Sequence, residues 1–423
     1  MSNQSEYQPI QLIRDLYMKN RSLVCDGFDE SLDYIANIIP LNIMKFETGS
    51  YAQTWKIPMK WNLTEASIKK NGQKIISTNN HPLHVYTCSQ PFKGTVSKEE
   101  LLEHLFTDES RPDVIPYKFI FYKNDWGFCC AHNDLALFDA ESYEVDIDVE
   151  FTDGFLSLGE FEKKGKSDET VLMIVHVDHP GQCNDNLSGV SVAVKLALYL
   201  AQLDQPELTY KIVFVPETIG SMAYLDRNKE QLINMKHGMV FDAIGHINRM
   251  FMMKSRFHTS LMDRIAEHVF SHRYEDGDCH DFLDPKISSF LNDERMMQSP
   301  GFDIPTICFS RAPYQYYHSS ADTPDKMSED SLEDTFVLLI EIINVFENNY
   351  VPIRNYDGTP FLSKYQLWND DWSNKEVNAV EKLIFNIDNR QDVFSIAERI
   401  NAPFSFVFDF IEKMRSSGLV NKE

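Results

Sequence analysis

A sheet covered on both faces by helices, an α/β fold, is what this 423-residue sequence predicts. Three observations carry the prediction. The runs VLMIVHV at 171–177 and YKIVFV at 210–215 are almost wholly apolar, the pattern of strands buried on both faces. A third such run, HGMVFDAI, spans 237–244. The stretch 188–203 between the first two reads as a helix, and strands alternating with helices argue for a helix-covered sheet.

The remaining elements follow in order. Residues 10–39 read as two helices, with Leu12, Ile13, Leu16 and Tyr17, then Leu32, Ile35 and Ile38, at helical spacing. From 45 to 140 the pattern changes to short strand-like runs, YAQTWKIP, HPLHVYTC, YKFIFYK and WGFCCAH, broken by Pro, Gly and Asn. This predicts a small β-rich domain inserted into a core made of 1–44 and 141–350. A short helix at 97–105 falls inside it. Residues 143–151 and 155–161 read as two strands paired around a turn. Further on come a helix at 255–274, a strand at 303–309 and a long helix at 329–350. The tail, 351–423, predicts helices at 374–387, 391–400 and 403–416 followed by the apolar Leu419 and Val420. Three short helices and a terminal strand make a winged-helix-like domain.

Composition excludes several function classes. The formal net charge is -24, which repels nucleic acid and anionic membrane surfaces. No run approaches 18 uninterrupted apolar residues, so no membrane partner is expected. The seven Cys include no CxxC pair, and the first residues lack a basic stretch followed by an apolar one. A cytoplasmic location is the expectation. In the tail, nine Lys or Arg stand against eleven Asp or Glu, a net of -2. A DNA-binding regulator is therefore disfavoured, and the tail suits packing or contacts in a homo-oligomer.

The densest chemistry lies in HVDHPGQCNDNLSG, 176–189, between a predicted strand and a predicted helix. Open α/β sheets place their sites in loops at the carboxyl ends of strands. His176 and His179 are potential zinc ligands, and Asp185 could bridge two metals with its two oxygens. The next strands run into Glu217 and Asp242, and YYHSSADTPDK supplies His318. Carboxylates converging on one sheet edge repel one another unless a cation neutralises them.

The series HVD, NDNLSG, PET-IGS, FDAIG and YYHSSADT resembles the co-catalytic zinc aminopeptidases of the M28 type. The resemblance implies two divalent ions, zinc above all, with His176 and Asp242 on one, Glu217 and His318 on the other, and Asp185 bridging. It implies that Asp178 holds the His176 ring. A second resemblance spans nearly the whole chain. The stretches PMKWNLTEASIK, NDWGFCCAHND, DGFLSLGE, CNDNLSG, IGSMAYL, NDERMMQSPGFDIP and YYHSSADTPDKMS are similar to a bacterial family of aminopeptidase-like proteins found near polysaccharide biosynthesis genes. That family has the same three-part plan. Many of its members have Cys in place of Asp178, a small residue in place of Glu217 and no acid in place of Asp242.

One departure bears on catalysis. M28-type enzymes place two adjacent acids after the second strand, a general base and a ligand, whereas this chain has Pro216 and Glu217. Either Glu217 is the ligand and the base lies elsewhere, with Asp293 and Glu294 of NDER as substitutes, or Glu217 is itself the base. Arg295 could bind a substrate carboxylate, and Tyr316 or Tyr317 could donate a hydrogen bond to an oxyanion. The implied function is metal-dependent hydrolysis of an amide bond by a two-zinc-activated water. The substrate would be a small peptide or an N-acylated small molecule. A metal-binding protein that assists a biosynthetic pathway without turnover is the alternative.

Overall fold

The computed structural model describes residues 7–275, 277–284 and 292–422. Its centre is an eight-stranded mixed sheet in the order Asn42–Glu47, Phe155–Lys163, Thr209–Val215, Thr170–His176, Met235–Phe241, Thr306–Arg311, Met250–Met253 and Asp278–His280. The four strands Thr209–Val215, Thr170–His176, Met235–Phe241 and Thr306–Arg311 are mutually parallel, and antiparallel strands flank them. Every residue of Thr170–His176 and of Thr209–Val215 is buried, as strands covered on both faces require.

Alternation along one strand sorts the core. Val171, Met173 and Val175 face the helices Pro9–Leu16, Gly189–Gln202, Leu261–Arg273 and Glu329–Asn348, while Leu172 and Ile174 face the opposite layer with Ile219, Ala223 and Met297. The first layer runs without a break into the tail, because Phe394, Val407 and Ile411 belong to the same apolar cluster as Ile265 and Leu339. The tail consists of helices Asn374–Asn386, Val393–Ile400 and Phe404–Ser416, closed by an antiparallel ribbon of Pro352–Arg354 and Val420–Lys422. No helix among the described residues is long and apolar enough to cross a membrane.

The β-rich region forms its own four-stranded antiparallel sheet, Gln73–Ser77, Lys60–Lys70, Ser142–Thr152 and Phe92–Ser97, around Trp61, Phe128 and Tyr143. One expectation is corrected by the pairing of these strands. Ser142–Thr152 does not pair with Phe155–Lys163; it joins the insert's sheet, and the following strand joins the main sheet. Asn42–Glu47, at the other end of the β-rich region, is an edge strand of the main sheet. A two-strand alternation is the same whichever neighbour supplies the hydrogen bonds, so pattern alone cannot assign the partner.

Candidate metal centre

The carboxyl ends of the parallel strands gather the predicted residues. His176 ends one strand, Asp242 directly follows Phe241, and Glu217 lies two residues beyond Val215. His318 comes from the loop after Thr306–Arg311. The structure brings five side chains together: His176, Asp185, Glu217, Asp242 and His318, with His179 as a sixth. Asp185 lies at the middle, its Oδ1 2.8 Å from His176 Nε2 and its Oδ2 3.0 Å from His318 Nε2. His176 Nε2 is 4.0 Å from Asp242 Oδ1, and His179 Nε2 is 3.4 Å from Glu217 Oε2. His176, His179 and Asp185 each offer a ligand atom within 4.8 Å of the others, as do Asp178, His179 and Glu217.

The loop that carries Asp185 is sewn to the loop that carries Asp242. Asn186 Oδ1 accepts the N–H groups of Gly189 and Ala243, and its amide donates to the Phe241 carbonyl. Asn184 Oδ1 accepts the Gly245 N–H, and Ser188 Oγ accepts that of Ile244. NDNLSG and FDAIG are thus two halves of one hydrogen-bonded unit. Asp322 closes it from below, accepting the N–H groups of Asn184 and Asp185 and the Tyr314 hydroxyl.

Two partners differ from expectation. The Nδ1 of His176 faces Asp293 Oδ2 at 3.6 Å, not Asp178. Asp178 instead lies 3.6 Å from His179 Nδ1 and accepts the Glu217 N–H at 2.8 Å. Asp293 and Glu294, the substitutes for a missing base, are both fully buried. Asp293 Oδ1 is already engaged by the Thr218 N–H and the Ser221 hydroxyl. Burial, reinforced by Asp293 and Asp242, pushes the Glu294 carboxyl up to about 8. A group sealed from solvent on all sides does not meet a substrate, so neither residue is placed as a base. Arg295 lies on the exposed side of the helix Asp293–Met297, opposite these buried acids. The Tyr317 ring stacks on His318 at 3.8 Å between centroids.

Sequence reasoning missed Arg21. It is wholly buried and donates to the carbonyls of Val177, His179 (2.7 Å) and Gln182 (3.0 Å), gripping the loop that carries Asp178 and His179. Nothing in MKNRSLVC signals this role, because its acceptors lie more than 150 residues away. The grip matters because His179 adopts a left-handed backbone with φ of 77°, as do Thr218 (59°), Ala243 (53°) and His318 (51°) around the same cluster. Such conformations cost on the order of 1–3 kcal/mol each and persist only where surroundings enforce them.

The donor set fits divalent cations. Among the buried atoms left without a hydrogen-bond partner is Asp242 Oδ1, which faces His176 Nε2 within the cluster. Burial, then repulsion from Asp185, pushes the Asp242 carboxyl up to about 7, and burial pushes Glu217 to about 7. Burial opposes the charged form of His176 as well, yet Asp242 and Asp185 outweigh it and hold its imidazole well above the ordinary value. Carboxylates and imidazoles packed this densely need positive charge among them, and a mixed O/N set suits zinc.

This is the architecture of an aminopeptidase-like α/β protein with a candidate metal centre at the carboxyl edge of its sheet. The chain belongs to the family described as a domain of unknown function, DUF4910, whose model matches residues 10–349. A Clostridium acetobutylicum protein whose name joins polysaccharide biosynthesis to an aminopeptidase-like domain is 34% identical over 341 residues, covering 80% of this chain and 77% of that one. A crystal structure from C. acetobutylicum, named for a peptidase, superposes with a TM-score of 0.90 at 30% identity over 98% of this chain and 96% of that one. The zinc aminopeptidase of Bacillus subtilis shares the fold at a TM-score of 0.58 and 13% identity, over 80% of this chain and 95% of its own. A Shewanella amazonensis M28 peptidase precursor does so at 0.53 and 14%, over 84% and 96%.

Proposed function

We propose that this protein is a metal-dependent hydrolase of an amide bond, aminopeptidase-like in its chemistry, acting on a small peptide or an N-acylated small molecule. The observation that carries this reading is the position of Asp185, with each carboxylate oxygen facing a different histidine from a different element. His176, Asp242 and Asp185 would hold one divalent ion; Asp185, His318 and His179 would hold a second. The chemistry that two bound zinc ions supply is polarisation of a carbonyl oxygen and acidification of a water.

The chain's own residues would do the rest. Glu217 is the proton acceptor in this reading. Its side chain keeps 26% of its surface exposed, at the open side of the cluster. Its carboxylate, 3.4 Å from His179, can take a proton from a water and return it to a leaving amine. Asp178 fixes that loop through the Glu217 N–H, and Asp293 orients His176. Tyr317, held flat against His318, is the candidate donor to a developing oxyanion.

Pro216, where the resemblance to M28-type enzymes expects an acid, favours a second reading: metal binding without turnover, in the service of a biosynthetic pathway. The two separate in one experiment. Protein stripped of metal and reloaded with zinc or manganese is offered amino-acid amides and N-acyl amino acids, alongside Glu217→Gln. Metal-dependent turnover that Glu217→Gln abolishes while keeping its metal supports the hydrolase with Glu217 as base. Loss of metal in Glu217→Gln makes it a ligand instead. Full loading with no turnover of any substrate supports the second reading.

A further inference from the structure

We propose that the extended segment 115–121 of the insert forms an apolar subsite beside the metal centre. Phe119 would select substrates with an apolar group on the carbonyl side of the scissile bond. The inference rests on the hydrolase reading above.

Side chains in this extended segment alternate between two environments. Lys118 and Ile120 face the insert: the Lys118 ammonium sits 4.4 Å from the Tyr86 ring centroid, and Ile120 is buried with Tyr86 and Cys129. Tyr117, Phe119 and Phe121 therefore face the core. The Tyr117 ring meets the His179 and His318 rings edge-on, at 5.3 and 5.1 Å. At the other end of the row, Phe121 packs on the apolar layer that includes Ile57 and Ile219. Phe119 lies between them, 5.6 Å from Tyr117 and stacked on Phe121 at 4.9 Å. Tyr117 is buried and Phe121 half-buried, whereas Phe119 is 46% exposed. Phe119 is thus the exposed ring of the row, next to Tyr117, whose own ring meets two imidazoles of the metal centre.

The position of that ring is fixed relative to the centre. The Tyr117 N–H donates to the His318 carbonyl at 2.9 Å, Ile115 and Ser320 exchange two hydrogen bonds, and Arg111 donates to the Tyr317 carbonyl. The same contacts hold both Phe119 and His318. An exposed phenyl face beside a reaction centre offers no hydrogen-bonding group, so it recognises apolar surface. That surface could be the side chain of an amino-terminal residue or the chain of an N-acyl group.

The test uses the full-length, zinc-loaded protein. One arm compares leucinamide and phenylalaninamide with glycinamide; the other compares N-hexanoyl with N-acetyl amino acids. The arm that shows turnover names the source of the apolar group. The wild type should favour the apolar member of its arm. Phe119→Ala should lower that preference roughly tenfold, mainly through KM, and Phe119→Tyr should retain it. Phe119→Ser serves in place of the alanine variant should that one lose its metal or its fold. Apolar-selective turnover whose preference is unchanged in Phe119→Ala or Phe119→Ser overturns the subsite and leaves the hydrolase standing. No turnover in either arm, with metal bound, removes the hydrolase reading and the subsite together.

Discussion

Asp185→Ala gives the sharpest expectation for the metal centre. The Asp185 side chain is 2% exposed and lies between His176 at 2.8 Å and His318 at 3.0 Å. Removing it takes away one ligand from each proposed ion at once. The carboxylates Asp185, Glu217 and Asp242 carry a formal -3 against +4 for two divalent ions, so the variant also loses a third of the neutralising charge. Both ions should leave, whereas loss of a terminal ligand such as His318 should leave one behind. A ligand present at 100 times its Kd stabilises the native state by about 2.7 kcal/mol. Zinc should therefore raise the thermal midpoint of the wild type by a few degrees and leave Asp185→Ala unmoved. The fold itself should survive, because the loop is held by Asp322, Asn184 and Asn186 through other atoms. Elemental analysis after reloading and dialysis, together with a thermal scan with and without zinc, gives the measurement. Two equivalents of metal retained by a folded Asp185→Ala would refute the bridging role, and one equivalent would reduce it to a terminal ligand.

Three further expectations concern the surroundings of the centre and the stability of the fold. Asp293→Asn should weaken metal binding roughly 10–100-fold in a chelator competition, because Asp293 and not Asp178 faces the His176 ring; an unchanged affinity would return that role to Asp178. Gly189→Ala should destabilise by about 1–3 kcal/mol in denaturant unfolding and lower metal affinity with it, since a Cβ there would lie 2.4 Å from Asn186 Oδ1 and 2.5 Å from the Phe241 carbonyl oxygen. His268, buried between the core and the tail, has its pKa lowered by burial to about 4. The unfolded chain, with His near 6.5, then binds more protons than the native state between about pH 4 and 6.5. This residue's contribution is flat above pH 6.5 and becomes destabilising as pH falls toward 4, by about 1–3 kcal/mol at most. His268→Gln should flatten that part of the acid limb in a series of thermal midpoints, and an identical limb would show that His268 does not titrate there.

Much of the candidate site was legible because its residues sit at strand ends. His176, Glu217 and Asp242 each follow an apolar run, and parallel strands bring their carboxyl ends to one edge whatever the sequence separation. The spacing within NDNLSG likewise placed Asp185 between strand and helix, and His176, Asp185, Glu217, Asp242 and His318 come together there. A period of two or of 3.6 residues is a local property, so the layers of the core could be read from the chain itself.

Partner choice could not. Which acid faces the His176 ring depends on where a short helix more than 100 residues later comes to rest, and Asp293 arrives there while Asp178 turns to His179. Arg21 becomes the clamp of the His179 loop only because the first helix packs beside the central strand. The strand Ser142–Thr152 has the same alternation whether it pairs with its neighbour in sequence or with the insert, and only the register of Lys60–Lys70 against it decides. The sheet, its helical cover and the cluster of imidazoles and carboxylates at its edge could be read from the chain, because they follow from local periodicity and from the direction of parallel strands. What grips each of these side chains, and which insert residues lie against them, emerges only on folding, because those contacts join segments whose spacing along the chain carries no periodic signal.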